Sequence, residues 1–444
     1  MIKSTIPLSL IIALRFLGLF IVLPVLSVYA LSLEGSNGFL VGLVVGGYAL
    51  TQTIFQIPFG LMSDKFGRKT TLFVGLMIFA LGSVICGMSD NIYMLLIGRF
   101  LQGAGAIGSV VTAMISDLVK EEERAHAMAI MGGTIAMSFA VAMIAGPIIG
   151  AKFGIDKLFF ITGLFAIFAI LVLFTKVPNP PKIVHSYSEE ESKMHQVFKD
   201  DSLVRMYVTF LFHSSIMTMA FMIIPIVMIS DFHWDKSELW IVYLPATILG
   251  VLSMGPSAIF GEKRGKGKEV FLVSIIITAL GFILMGFTNT PKVFIVGVAF
   301  FFVGFSLFEP LLQSFVSKFA KVHQKGAALG VANSFQYFGI FLGGVIGGFF
   351  IDQIDGVKIV HRDNLAILVI LACIVWFLWI MKLKDPGLRT NLYLPFDKYD
   401  KTKIDILKKL KGVVEYYTNE TEQLIIVKYE KDIINEQEIK KYLS

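Results

Sequence analysis

Gly60-Leu61-Met62-Ser63-Asp64-Lys65-Phe66-Gly67-Arg68-Lys69 is a short polar turn set between two long apolar runs. Residues 39–62 before it and residues 70–88 after it contain no charged side chain. A helix needs about 20 apolar residues to cross a bilayer, so the segment reads as two membrane helices joined by a tight loop. Gly60 and Gly67 permit a sharp turn and close helix approach. Asp64 is placed to accept from nearby cations or to sit at a helix N-terminus. Arg68 and Lys69 follow the basic bias of cytoplasmic loops.

Outward from this loop the pattern repeats along the chain. Apolar runs at 6–30, 39–62, 70–88, 92–118, 125–152, 157–176, 203–230, 237–260, 269–287, 291–319, 326–352 and 363–383 predict twelve transmembrane helices. Only 16% of the 444 residues are charged and 55% are hydrophobic, where a soluble domain carries roughly 25% charged residues. Forty Phe beside forty Gly suit lipid-facing helices packed through small residues. The first run is too long for a signal peptide and contains Arg15, so it reads as a retained helix. Cys86 and Cys373 both fall inside apolar runs, which predicts neither a disulfide framework nor a metal site. No basic stretch suggests nucleic acid.

Loop charge sets the expected orientation. Lys65, Arg68 and Lys69, then Lys120 and Arg124, then Lys263, Arg264, Lys266 and Lys268, then Lys318, Lys321 and Lys325 lie in one alternating set of loops. The other set holds only Lys152, Lys157, Lys236, Lys292, Lys358 and Arg362. The richer side is expected to be cytoplasmic, with both termini inside a cell (inner) membrane. Residues 177–202, with Pro178, Pro180, Pro181 and Glu189-Glu190-Glu191, read as a cytoplasmic linker. The expected organisation is an N-terminal six-helix half at 1–176, the linker, a C-terminal half at 203–384 and a small α+β domain at 388–444. That last domain reads βαββα: a strand at 388–395, a helix at 399–411, strands at 413–418 and 423–429, and a helix at 436–443 capped by Asn435.

Glu262, Gly265 and Lys266 each follow Asp64, Gly67 and Arg68 by 198 positions. One shared offset for acid, glycine and base predicts an internal repeat of half the membrane region. Repeated halves with a solute site at their interface are a transporter signature. Helix four adds Arg99, Gln102, Gly103 and Gly105, and helix five adds Gly146-Pro147 with Gly150, in which proline bends the helix and glycines permit packing.

These three segments resemble signature motifs of the major facilitator superfamily, in its drug:proton antiporter branch. In the third, Ala142 and Ala151 stand where glycine is common. Arg15–Leu26, Gln56–Asp64 and Phe301–Leu312 resemble the members that carry an extra C-terminal ferredoxin-like (YAM) domain. The resemblance implies an all-α, twelve-helix rocking transporter. Gly60, Asp64, Gly67, Arg68 and Lys69, with Asp117 and Arg124, would form a latch holding the outward-facing state. It also implies protons and a small molecule as partners.

Charges deep in a bilayer are costly and need a partner or a task. Arg15 lies deep enough in helix one to face a cavity, or snorkels to the interface. Arg99 reads as a coupling residue or as a clamp on neighbouring carbonyls. Glu309, followed by Pro310, is the candidate proton carrier, since buried carboxyls titrate higher than exposed ones; the alternative is an ion pair with Arg15 or another base. His213 is either a titrating group or a packed core histidine. Gln52, Gln56, Asn333, Gln336 and Tyr337 line a cavity or join helices.

The resulting expectation is proton-coupled efflux of small, partly apolar molecules by alternating access. Two alternatives stand beside it: transport of a sugar or other polar metabolite, and a membrane sensor signalling through the C-terminal domain. No nucleophile–base constellation, phosphate-cradling loop or metal-ligand spacing is present, so neither an enzyme, a cofactor, a bound metal nor direct ATP use is expected. The tail loop Pro395–Asp400 has no Cys, which disfavours soft-metal delivery.

Overall fold

The computed structural model describes residues 2–119, 121–179, 197–320, 324–354, 357–384, 389–399, 404, 406, 407, 410–419 and 423–443. Among them are twelve helices long and apolar enough to cross a membrane. They are α1 (Thr5–Ala30), α2 (Gly38–Phe66), α3 (Arg68–Gly87), α4 (Ile92–Leu118), α5 (His126–Phe153), α6 (Ile155–Lys176), α7 (Asp201–Ser230), α8 (Lys236–Lys263), α9 (Gly267–Gly286), α10 (Pro291–Phe319), α11 (Gly326–Gly348) and α12 (Arg362–Met381). The expected spans fall within a few residues of these, because the length of each apolar run is set by the bilayer rather than by its neighbours.

Two spans are interrupted. α1 breaks at Val22 and restarts with Pro24 in the first turn of Leu23–Ala30, where a missing N–H costs nothing. α4 breaks at residues 105–107, between Ala104 and Gly108. A Cβ on Gly105 would lie 2.4 Å from the Gly75 carbonyl oxygen of α3, so only glycine permits this approach.

The two sets of six helices repeat one neighbour pattern. α1 packs on α5, α2 and α3 on α4, and α3 on α6; in the same way α7 packs on α11, α8 and α9 on α10, and α9 on α12. Gly67 and Gly265, the repeat pair, both adopt positive φ (94° and 67°), a conformation that glycine takes without strain. The positive-φ glycine is thus repeated along with the sequence, while the loops themselves differ: Gly67 alone separates the helices in the first half, and residues 264–266 do so in the second.

The sets meet through α2 against α11, α5 against α8, and the short second part of α1 against α7. Contact is tight at one end only. Cβ atoms on Gly38 and Gly42 would lie 2.0 and 2.2 Å from the carbonyl oxygens of Ile351 and Gly344. Ser27 Oγ donates to the Met222 carbonyl at 2.8 Å in the same region. At the other end, positions Gly132 and Gly133 of α5, Gly255 of α8 and Gly330 of α11 have open space where a side chain would stand. The bundle is therefore closed at the end carrying residues 34–38 and splayed at the end carrying the Asp64 loop.

The expected helix to residue 352 is shorter: it ends at Gly348. A two-stranded antiparallel hairpin follows, β1 (Ile351–Ile354) and β2 (Val357–Val360), with Ile351 paired to Val360. The β-branched alternation and the intervening Asp-Gly are a hairpin signal that outweighs continuation of the helix. His361 Nε2 and Asp352 Oδ2, 2.9 Å apart, link the hairpin to α12. Arg362 reaches Asp231 at 3.5 Å and donates to Asn289 at 2.8 Å. Burial lifts the Asp231 carboxyl above the usual range, opposed by the nearby Arg362.

The C-terminal residues form β3 (Arg389–Pro395), β4 (Val413–Asn419), β5 (Leu424–Glu430) and α13 (Glu436–Leu443). The sheet order is β3-β5-β4, antiparallel throughout. Asn435 caps α13 as expected, accepting from Glu438 N at 2.8 Å. The helix expected at 399–411 falls largely outside the described residues; Ile404, Ile406 and Leu407 are in 3-10 geometry. Ile425, Val427 and Tyr429 face this domain's own core. On the opposite face of β5, Lys428 is buried and donates to the Ala320 carbonyl at 2.8 Å and the Ser317 carbonyl at 3.4 Å. These carbonyls end α10, where a cation complements the helix dipole.

Candidate functional site

Arg15, Gln52, Gln56 and Tyr337, four of the polar residues that the sequence singles out, gather near the seam between the two sets of helices. Arg15 of α1 is fully buried and donates through Nη2 to Gln52 Oε1 of α2. Gln52 Nε2 donates to Gln56 Oε1 at 3.1 Å, one turn along α2. Tyr337 of α11, from the other six-helix set, is buried in the same cluster as Tyr48 and Phe79. Arg15 therefore does not snorkel. Phe79 and Phe16 rings lie 5.4 and 5.9 Å from its guanidinium carbon.

Arg99 has a different setting. Nε donates to the Val44 carbonyl at 3.0 Å, Nη1 donates to Gln102 Oε1 at 2.7 Å, and the guanidinium lies 4.5 Å from the Tyr48 ring centre. Gln102 Nε2 in turn donates to Ser83 Oγ at 2.9 Å. These contacts tie α2, α3 and α4 together. Gly103 completes the joint, since a Cβ there would sit 1.8 Å from the Tyr48 carbonyl oxygen. Gly146 likewise admits the Ile21 carbonyl of α1, and Gly150 approaches Leu158 of α6; Pro147 lies inside α5 between them.

Glu309 is half-buried in the middle of α10. Among the described residues, no hydrogen bond or ion pair reaches it, so the expected alternative of a pair with Arg15 does not form. One turn further, Gln313 Nε2 donates to Asn333 Oδ1 of α11 at 3.0 Å, which places this face of α10 toward α11. Gln313 escaped notice in the sequence because a lone Gln near a helix end carries no pattern. Gln336 is half-buried on α11. His213 is buried in α7, stacked on Phe305 at 4.6 Å, with Nε2 3.2 Å from the Phe305 carbonyl oxygen. That is the geometry of a packed histidine. Its Nδ1 has no partner among the described residues, and the ring lines a small cavity with Thr278, Phe301 and Trp376.

The Asp64 loop lies at the splayed end. Arg68 bridges Asp64 and Asp117, reaching Asp117 Oδ2 through Nε at 2.8 Å, and also donates to Ser63 Oγ. Asp64 is well exposed and Lys69 half-buried. A Cβ on Gly60 would meet only Ser109 Oγ at 3.8 Å, so this glycine is not sterically required here. The side chain of Arg124 lies outside the described residues. In the second set, Glu262 pairs with Lys318 at the end of α10. The acid of the loop thus finds a cation in both halves: Arg68 of the same loop in the first, Lys318 at the end of α10 in the second.

Residues 8–344, and again residues 206–410, match the Major Facilitator Superfamily. The chain belongs to the major facilitator superfamily. Within it, the chain is 34% identical to the inner membrane transport protein YajR of Escherichia coli (strain K12), over 98% of this chain and 96% of that protein. It is 28% identical to multidrug resistance protein 1 of Bacillus subtilis (strain 168), over 76% of this chain and 87% of that one. A crystal structure of a mutant of the nucleoside transporter NupG shares the fold, with a TM-score of 0.70 at 15% identity, covering 85% of this chain and 99% of that one. This major facilitator chain is accordingly a transporter and not an enzyme. The repeat read from the Asp64 and Glu262 loops is the family's pair of six-helix halves.

Proposed function

We propose that this transporter exports small, partly apolar molecules across the inner membrane in exchange for protons. The observation that carries the reading is Glu309, a carboxyl in mid-helix, half-buried and unpaired among the described residues, on the α10 face that turns toward α11. An unpaired carboxylate in apolar surroundings is unstable as an anion, and protonation is the direct relief. YajR and the Bacillus multidrug protein, both similar along most of the chain, support inner-membrane transport and drug-like cargo respectively.

Alternating access supplies the mechanism. With cytoplasmic loops taken as the basic ones, the closed end is periplasmic and the molecule faces inward. The Asp64–Arg68–Asp117 cluster then lies at the mouth of the cleft and, among the described residues, makes no hydrogen bond or ion pair to the opposite half, as a latch for the outward-facing state would be when released. A proton entering from outside would neutralise Glu309 and change the balance between the two states. Both termini would be cytoplasmic, as would the C-terminal domain.

The test is proton flux in liposomes. Purified protein is reconstituted with a pH-sensitive dye and the solute inside, a cationic, neutral or anionic aromatic or a sugar in turn, and an inward proton gradient is then imposed. Solute-dependent acidification is expected, and Glu309→Gln should abolish it while leaving the protein folded. Unchanged coupling in that variant removes Glu309 from the scheme. A response to sugars alone favours a polar-metabolite transporter.

A further inference from the structure

Two buried arginines in the N-terminal half invite comparison. Arg99 has its Nε and Nη1 donors met by a carbonyl and a glutamine amide, and lies over Tyr48. Arg15 is equally buried, yet its Nε and Nη1 have no acceptor. Among the described residues, its one hydrogen-bond partner is the neutral amide of Gln52. That amide's orientation follows from Gln56, which accepts from its nitrogen. No carboxylate pairs with Arg15 among the described residues; its remaining neighbours are Tyr48, Tyr337, Phe16 and Phe79.

Such a group is incomplete. Guanidinium stays charged at any physiological pH, and burying a cation without a counter-charge is strongly unfavourable. Unmet buried N–H donors add to the cost. An acceptor bearing negative charge would answer both needs at once. The site also lies on the seam: Gln52 and Tyr48 come from one half and Tyr337 from the other, so an occupant there is held by both.

We propose that Arg15 is the receptor for an anionic group on the transported molecule, a carboxylate, sulfonate or phosphate joined to an apolar, aromatic-compatible body. Gln52 positions the guanidinium, Tyr337 offers a hydroxyl from the opposite half, and the surrounding aromatic rings take the apolar part. This deepens the transport reading and rests on it only for placing the substrate between the halves. The anion completes Arg15 in one state, and its release on the far side leaves the charge unpaired again.

Equilibrium binding tests this without requiring transport. The full chain in detergent is titrated with benzoate and benzenesulfonate, with benzamide as the neutral isostere and inorganic phosphate as the bare anion, following thermal unfolding by tryptophan fluorescence. The two organic anions should bind saturably and raise the unfolding midpoint, with benzamide and phosphate at least tenfold weaker. Arg15→Gln should weaken benzoate binding at least tenfold, and Arg15→Lys should retain part of it. If Arg15→Gln does not fold, the benzoate–benzamide contrast in the unaltered protein still decides. Equal binding of benzamide, no binding of either organic anion, or benzoate affinity unchanged in Arg15→Gln overturns the proposal. Phosphate as effective as benzoate also overturns it, since that would mark a simple anion site. Anion binding without proton flux would sink proton-coupled export alone, whereas proton flux driven by neutral solutes without anion binding would sink this inference alone.

Discussion

At the scale of single residues, two arginines of the same type and burial have separate tasks because their acceptors differ. A lysine can keep the charge of Arg99 but not its planar set of donors to Val44 and Gln102. Arg99→Lys is expected to cost about 1.5–3 kcal/mol, the range for hydrogen bonds to a charged group. Arg15→Lys should cost less, because only the bond to Gln52 is at stake. Thermal unfolding midpoints of the two variants check the difference. Equal losses would mean that Arg15 is as structural as Arg99.

At the scale of elements, the closed end depends on glycine faces on α2 and α11. Gly42 and Gly344 let two helix backbones touch, and the Phe39 and Phe349 rings, 5.5 Å apart, lie beside this joint. Gly42→Val places new carbons where the Gly344 carbonyl stands. Overpacking of this kind costs about 1–3 kcal/mol, enough to move a balanced two-state equilibrium by about fivefold to a hundredfold. Cysteines introduced at 39 and 349 should cross-link readily with a short bifunctional reagent in the parent protein and several-fold less in Gly42→Val. The native Cys86 and Cys373 are buried and should not interfere. Undiminished cross-linking would show that α2 and α11 do not form the gate.

At the scale of the whole molecule, the C-terminal domain is joined to the transport core through Lys428 and the end of α10. This is the same helix that carries Glu309 and, through Lys318, the Glu262 ion pair. Lys428→Met removes the cation from two end carbonyls while keeping much of its volume. Hydrogen exchange is expected to rise at both ends of the contact, in residues 311–320 and 424–430. Exchange that rises only in 424–430 would mean that the domain is held but does not brace α10.

The twelve spans, the half-repeat and the order of the C-terminal strands were legible in the sequence because each is a local or periodic property. Apolar length answers to bilayer thickness, the 198-residue offset survives as three residue types, and strand alternation needs no knowledge of a partner. The hairpin at 351–360 was the exception, a pair of short strands hidden at the end of an apolar run. Other features depended on pairings between distant segments. Arg15 and Arg99 are alike in sequence, and only the packing of α1, α2, α4 and α11 separated an unsatisfied cation from a satisfied one. Glu309 was visible as a lone acid, but its lack of a counter-ion was not. Lys428 carries no pattern of its own in the sequence, because its burial depends on the sheet lying against α10. Which end of the bundle is shut was likewise decided by glycine faces far apart in the chain, since a backbone contact depends on what the partner lacks and leaves no periodic trace in either helix.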